Sequence, residues 1–391
     1  MSERAISPRP WLVRMGPRDP EERHRAATPL ELFFDLCFVV AVGADAAQLE
    51  HALAEGHIGS GVLSFLLVFF AIWWAWMNFS WFASAYDADD TPYRLATMTV
   101  MAGVLILAAG VERAFEDEDF RIIFVGYLVM RVGLISQLLR AAAADAFRRV
   151  TMRRYAMGEA GCMVLWAIAI FVVPDGLRLW VWLLAAAAEL LVPPWAEARE
   201  RMPWHPHHIT ERYGLFTIIV LGEVILSSTN TVREGLSGKA TADLYLVAAG
   251  GLVTVLALWW VYFSMSSAGL LTNQRAAMLW GYGHYAVFAS GAAVGAGIAV
   301  NAAKASHHAE ISTTKAGLAL AIPVFVYLLV VWWLLVRPHG KDAPYAVGMP
   351  IVGLAAIGAS FTPAPVPAIG ALMAALIALS IVAHGTKGRR R

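Results

Sequence analysis

The fold class predicted by this sequence is all-α: a polytopic helical membrane protein of about 12 transmembrane helices. Three observations predict it. Of 391 residues, 59% are hydrophobic and only 15% are charged, whereas soluble domains carry about 25% charged residues. Apolar runs near the roughly 20 residues that cross a bilayer recur along the whole chain. Between those runs, basic residues gather in alternate loops, the pattern that sets membrane orientation.

The elements follow in order. The leader, residues 1–29, holds Arg4, Arg9, Arg14, Arg18, Arg23 and Arg25 but no short apolar core with a cleavage site, so it reads as a cytoplasmic tail. Apolar runs then fall at 30–50, 59–83, 94–112, 121–140, 156–173 and 178–194. Six more fall at 212–230, 244–266, 277–301, 316–336, 345–361 and 366–384. The last two are interrupted by Gly348, Gly353 and Gly358 and by Pro363, Pro365 and Pro367, so the count ranges from ten to twelve. Twelve satisfies the positive-inside rule. It places Arg94, the run Arg140, Arg148, Arg149, Arg153 and Arg154, then Arg199, Arg201, Arg212, Arg275, Arg337, Lys341, Lys387 and Arg389–Arg391 on the leader's side. Opposite them lie Arg113, Arg121, Arg178, Arg233, Lys239, Lys304 and Lys315, and an acidic loop with Glu112, Glu116, Asp117, Glu118 and Asp119. Both termini are therefore expected in the cytoplasm. The mixed segment 140–154 also reads as an interfacial amphipathic helix attracted to anionic headgroups.

The second span contains AIWWAWMNFS from Ala71 and the eighth ALWWVYFSMS from Ala257, which aligns Trp73, Trp74 and Ser80 with Trp259, Trp260 and Ser266. A similar offset pairs the first span with the seventh and Arg94 with Arg275. Two six-helix halves, 30–194 and 212–384, are expected, joined by a cytoplasmic linker at 195–211 and closed by a basic tail at 385–391. Because six is even, the repeat is parallel, an arrangement known among secondary transporters. Trp pairs are also ordinary interfacial anchors.

Acids inside spans are costly and need a partner or a task. On the first span Glu31, Asp35, Phe38, Val42, Asp45 and Leu49 share one helical face. Asp35 and Asp45 stand about 15 Å apart by helical rise. Glu31 is expected at the wet end, where a first-turn acid suits the helix dipole. On the seventh span Arg212, Phe216, Ile219, Glu223, Ser227 and Asn230 form a stripe, with Gly222 beside Glu223 expected to permit close helix approach. Arg131 stands mid-span with Tyr127 one turn before it and requires an anion; Asp35, Asp45, Glu159, Glu189 and Glu223 are the candidates. Asn78, His284 and Asn301 are further intramembrane polar groups. His284 reads either as a proton relay or as a simply hydrogen-bonded core histidine, and Gly291 and Gly295 form a GxxxG packing face.

Other classes are disfavoured. A net charge of +1 argues against a nucleic-acid partner. Cys37 and Cys162 lie in separate apolar runs and support neither a disulfide framework nor a metal site. HPHH, with His205, His207 and His208, lacks the companions of a metal centre, so no metal or other cofactor is expected. With no GxSxG, HExxH or Walker A pattern and no clustered nucleophile and base, an enzyme is not expected.

ELFFDLCFVVAV at 31–42, WWAWMNFSWFASAYDADD at 73–90 leading to Arg94, and ERYGLFTIIVLGEVIL at 211–226 resemble the bacterial low temperature requirement protein A family across most of the chain. The resemblance implies a multi-pass bacterial membrane protein whose signature positions are Glu31, Phe34, Asp35, Asn78, Asp87, Arg94, Arg131, Glu211, Arg212, Gly222 and Glu223. It implies no substrate. FFDLCFVVAV is also similar to the first helix of a class of potassium channels built from six-helix repeats, an analogy only. The functional expectation is a secondary transporter or channel for a cation or small charged solute, with Asp35 and Glu223 as paired sites, Arg131 as their electrostatic partner, and Asp45, Asn78 and His284 along the path. The alternative is a non-transporting protein of lipid homeostasis or cold adaptation that works through its contacts with the lipid bilayer.

Overall fold

The computed structural model describes residues 11–22, 25–236, 242–265, 267–340 and 346–388. Arg4, Arg9, Arg23, Lys239, Ser266, Lys341 and Arg389–Arg391 lie outside the described residues, as does the side chain of Lys387. Among the described residues the chain is helical without strands. In order the helices are α1 (Pro29–Ala54), α2 (Ile58–Ala85), α3 (Thr91–Ala109), the short α4 (Val111–Glu116), α5 (Arg121–Ala144), α6 (Arg149–Phe171) and α7 (Asp175–Ala196). There follow α8 (Pro206–Leu236), α9 (Ala242–Phe263), α10 (Gln274–Ala305), α11 (Thr313–Val331), α12 (Gly348–Ala359) and α13 (Pro365–Gly388).

Helix starts are written in the sequence. Thr28-Pro29-Leu30-Glu31 is a capping box: the Thr28 amide donates to Glu31 Oε2 at 2.8 Å and the Glu31 amide to Thr28 Oγ1 at 3.2 Å, with Pro29 pre-set at the first helical position. Asp90 caps α3 through the Tyr93 amide, Asn273 caps α10 through Ala276, and Ser312 caps α11 through Lys315. The far end of α11 widens into a π-helical turn at Trp332–Val336.

Nine helices among the described residues are long and apolar enough to cross a membrane. The acid-bearing α1 and α8 are not among those nine, although they run for 26 and 31 residues. The expected span at 345–361 is instead the 12-residue α12, below the roughly 20 residues that a crossing requires. Its glycines and the prolines after it end the helix early. The linker expected to reach Glu211 is also shorter, because α8 already begins at Pro206.

The chain divides into two compact units. The first comprises Met1–Phe38, Trp74–Arg113 and Glu118–Ile209; the second comprises Val39–Trp73, Ala114–Asp117 and Thr210–Arg391. In the first unit α3, α5, α6 and α7 pack in series. Glycines set the α3–α5 distance, since a Cβ on Gly126 would lie 2.5 Å from the Gly103 carbonyl. In the second unit α10 packs on α11 and α9 on α13, and Asn301 of α10 donates to the Ala316 carbonyl of α11 at 2.6 Å. The expected GxxxG face receives α8, with Val220 against Gly291 and Val224 against Gly295.

The expected polar stripe of α1 is its buried face. Glu31, Asp35, Phe38, Val42, Asp45 and Leu49 are buried, while Leu32, Phe33, Leu36 and Val40 are exposed. Acids inward and hydrophobes outward is the distribution that hydrocarbon demands. The residues aligned by the apparent repeat differ in environment. Trp73 and Trp74 are buried, whereas Trp259 and Trp260 are 45% and 39% exposed.

Candidate functional site

In the first unit the mid-span arginine has its anions. Arg131 of α5 contacts Glu159 of α6 and lies 2.8 Å from Glu189 Oε2 of α7, all three buried. Glu189 also accepts from Trp74 Nε1 at 2.6 Å, Trp166 Nε1 at 3.1 Å and the Tyr127 hydroxyl at 3.2 Å. Arg131 donates to the Tyr127 hydroxyl and sits over its ring, 4.6 Å from the centroid. The expected service of Arg131 to Asp35 and Glu223 is therefore corrected, because its two carboxylates come from α6 and α7. Asp35 is held separately: it is buried and accepts from Trp76 Nε1 at 2.7 Å. Phe34 beside it stacks on Phe79 at 4.1 Å.

A second cluster closes the end of this unit. Glu31, expected in water, is 1% exposed. Beyond its capping role it lies 3.5 Å from Arg25 and 3.1 Å from His208 Nε2. Asp87 joins it through Arg18 at 3.4 Å and Arg25 at 4.0 Å. Burial, with Glu31 nearby, pushes the Asp87 carboxyl up to about 6 despite those arginines. Both ring nitrogens of His205 are engaged, one accepting from the His208 amide at 3.2 Å and the other against the Glu22 carbonyl at 2.7 Å. HPHH is thus part of a helix start; among the described residues no His, Cys, Asp and Glu group is arranged to hold a metal. Arg94, half-exposed, pairs with Asp89 at 2.9 Å. Asn78 is buried, and its side-chain nitrogen has no hydrogen-bond partner among the described residues.

The 140–154 segment is not a separate amphipathic helix. Arg140 closes α5 and contacts Asp90 and the Val13 carbonyl, Arg148 pairs with Asp145 at 3.2 Å, and Arg149 donates to the Ala142 carbonyl at 3.1 Å. Arg154 lies over the Trp195 ring. These cations reach protein carbonyls, carboxylates and an aromatic ring. Asp90 and Asp145 are both held below the usual carboxylate range, because donors outweigh the effect of burial: Arg140 and the Val13 and Tyr93 amides at Asp90, and the Tyr86 hydroxyl with Arg148 at Asp145.

In the second unit Asp45 is wholly buried, and neither carboxyl oxygen has a hydrogen-bond partner among the described residues. Two residues earlier, Gly43 opens α1 to Glu223 of α8: a Cβ at Gly43 would stand 2.6 Å from Glu223 Oε1. Glu223 is half-buried. Close approach therefore belongs to Gly43, not to Gly222, whose Cβ position meets nothing within 4 Å. His284 is fully buried, with Nδ1 2.7 Å from the Trp280 carbonyl and Nε2 3.0 Å from the Tyr262 hydroxyl. A carbonyl can only accept, so Nδ1 donates, and the ring is packed by Tyr213 and Trp280 at 4.9 and 4.1 Å. With both ring nitrogens hydrogen-bonded and aromatic rings around it, His284 has the geometry of the second of the two expected readings, a hydrogen-bonded core histidine. Arg212 is buried on α8, and Glu211 beside it is half-buried.

The likeness to known proteins runs along most of the chain. The model of the Bacterial low temperature requirement A protein (LtrA) family matches residues 26–383. The chain belongs to that family. The chain is also similar to an uncharacterized protein of Rhizobium meliloti (strain 1021), 26% identical over 376 residues that span 91% of this chain and 87% of the relative. Of the positions that the resemblance singles out, Glu31, Phe34, Asp35, Asn78, Asp87, Arg94 and Arg131 lie in the first unit, and Glu211, Arg212, Gly222 and Glu223 in the second. The readings made from single motifs missed His208 and Arg25 as partners of Glu31. They also missed the Trp74, Trp76 and Trp166 indoles that bind the buried acids. The T-x-x-E at 28–31 was a legible signal for a capping box. Nothing local announced the indoles, whose polar edge is a tertiary matter.

Proposed function

We propose that this LtrA-family chain is a secondary transporter or channel for a cation or small charged solute in the bacterial inner membrane, with both termini cytoplasmic, and that Asp45 and Glu223 are its exchanging carboxyls. One observation carries the reading. Asp45 is fully buried, with no donor for either oxygen among the described residues. A carboxylate there requires a proton or a cation to offset its charge, and a purely structural acid would have been given a donor. Asp35 has such a donor in Trp76, and we assign it a fixed, positioning role. Glu223 is half-buried and fits into the opening at Gly43 on the Asp45 helix, so it suits an exposed stage of the same exchange. The competing reading, lipid homeostasis or cold adaptation without transport, rests on the Trp-rich helices and the Arg140–Arg154 segment, in which Arg140, Arg148 and Arg149 already have partners within the protein.

The test is flux in proteoliposomes, measured with a pH-sensitive dye and with K⁺ or Na⁺ gradients under an imposed membrane potential. Asp45→Asn and Glu223→Gln are expected to abolish a flux that Asp35→Asn only weakens. A folded wild-type protein that moves none of these ions, or variants with unchanged flux, sinks the reading.

A further inference from the structure

The second unit contains a cavity of about 400 Å³ walled by α1, α2, α10 and α11, within the size range of small-molecule sites. Apart from Lys315, its walls offer an occupant no free side-chain hydrogen bond among the described residues. Leu49, Phe65, Ala289 and Ile322 are apolar, the Tyr285 hydroxyl is spent on the Leu66 carbonyl at 2.8 Å, and the Ser290 hydroxyl on its own helix. Leu66 and Ile322 are 40% and 50% exposed, so the cavity opens on the hydrocarbon-facing surface of these helices. The one charged residue in its lining is Lys315, in the first turn of α11, exposed and with no side-chain partner among the described residues. From Lys315 to Val326, the deepest lining residue on α11, is 11 residues of helix, about 16 Å of rise. That equals the depth of one leaflet, half of the roughly 30 Å hydrocarbon core.

We infer that this cavity is a lipid site that takes one acyl chain of an anionic phospholipid, with the phosphate headgroup at Lys315. The apolar wall, with its two hydroxyls spent within the protein, fits hydrocarbon and rejects a polar solute, which would forfeit its water without replacement. The lone ammonium at membrane-surface depth supplies the charge complement to a phosphodiester. The site lies entirely in the second unit and does not depend on the transport reading.

The experiment uses the full chain in nanodiscs with phosphatidylglycerol or phosphatidylcholine carrying the same photoactivatable acyl chain, followed by peptide mapping of the adducts. Adducts from phosphatidylglycerol are expected on 286–293 and 318–326 in excess over exposed helix faces such as that of Leu191. Lys315→Gln is expected to reduce the preference for phosphatidylglycerol about fivefold, the share of one lysine near an anionic surface. Ala293→Leu, which fills the cavity, is expected to remove the adducts. Ile322→Trp, at the exposed rim where folding tolerates bulk, serves as a second block. Labelling that is uniform over the lipid-facing surface overturns the inference. So does cavity labelling indifferent to headgroup in the wild type, labelling that survives both blocking variants, or displacement by oleate as effective as that by phosphatidylglycerol.

Discussion

Arg131 and Glu189 meet at 2.8 Å with both side chains out of solvent, and Glu159 occupies the other side of the same guanidinium. One cation therefore faces two carboxylates. Removing the cation strands two buried acids together, whereas removing one acid leaves a matched pair. Arg131→Met is accordingly expected to cost about 3 to 5 kcal/mol, the toll of an orphaned buried charge. Glu159→Gln is expected to cost about 1 kcal/mol or less, since Gln keeps an acceptor for the guanidinium. Arg131→Lys should resemble Met more than wild type, because a single ammonium cannot span both carboxylates. Thermal unfolding in detergent ranks the three; Glu159→Gln less stable than Arg131→Met contradicts the charge count.

Glu197 caps α7, is buried, and accepts from the Tyr155 hydroxyl at 2.6 Å. Burial pushes its carboxyl from 4.5 up to about 7. The folded chain thus holds a proton that the unfolded chain has released, so this group's contribution to stability falls as pH rises from about 4.5 to about 7. Glu197→Gln keeps the acceptor for Tyr155 and removes the ionisation. Its melting temperature is expected to match wild type near pH 4.5 and to exceed it above pH 7. A variant that is less stable than wild type at pH 8 refutes the assignment.

How far the molecule was legible in its sequence follows from these residues. The class and most spans were readable because apolar runs respond to local composition, and the buried face of α1 because 3.6-residue periodicity is local too. The shortness of α12 was hinted at by its glycines, which the run of hydrophobicity concealed. Arg131's need for an anion was readable from cost alone, yet choosing Glu159 and Glu189 over Asp35 required knowing that α5, α6 and α7 pack in series. Glu31 was misplaced because helix-end position and solvent exposure are separate facts. Arg25, just before α1, lies against Glu31 and helps bury an end that spacing alone leaves wet.

Gly43 and Gly222 make opposite predictions. A methyl at Gly43 would stand 2.6 Å from Glu223 Oε1, the movable end of a side chain, while one at Gly222 meets nothing within 4 Å. Gly43→Ala is expected to fold with less than about 1 kcal/mol of loss, because the carboxyl can swing aside, and to lower flux as Glu223→Gln does. Gly222→Ala is expected to stabilise α8 by up to about 1 kcal/mol through helix propensity alone and to leave flux intact. Paired melting and proteoliposome measurements decide it; equal flux in both variants detaches Glu223 from Gly43.

Asp90 ties three elements at one point. It caps α3 through the Tyr93 amide at 3.0 Å, accepts from the Val13 amide of the leader at 2.7 Å, and grips Arg140 at the end of α5, which itself donates to the Val13 carbonyl at 2.7 Å. Asp90→Ala removes all of these acceptors. It is expected to lose about 1 kcal/mol for the cap and a further roughly 1.5 to 3 kcal/mol for the charged hydrogen bonds. Asp90→Asn keeps the cap, for which Asn is as good as Asp, and loses only the charge that holds Arg140. The leader should report the difference directly, because Arg14 and Arg18 are trypsin sites held down beside Val13 and Ala85. Limited proteolysis is expected to cut there fastest in Asp90→Ala, more slowly in Asp90→Asn and slowest in wild type. If Asp90→Ala resists as wild type does, the Arg18 contacts with Asp87 and Ala85 hold the leader alone, and Asp90 is a helix cap only.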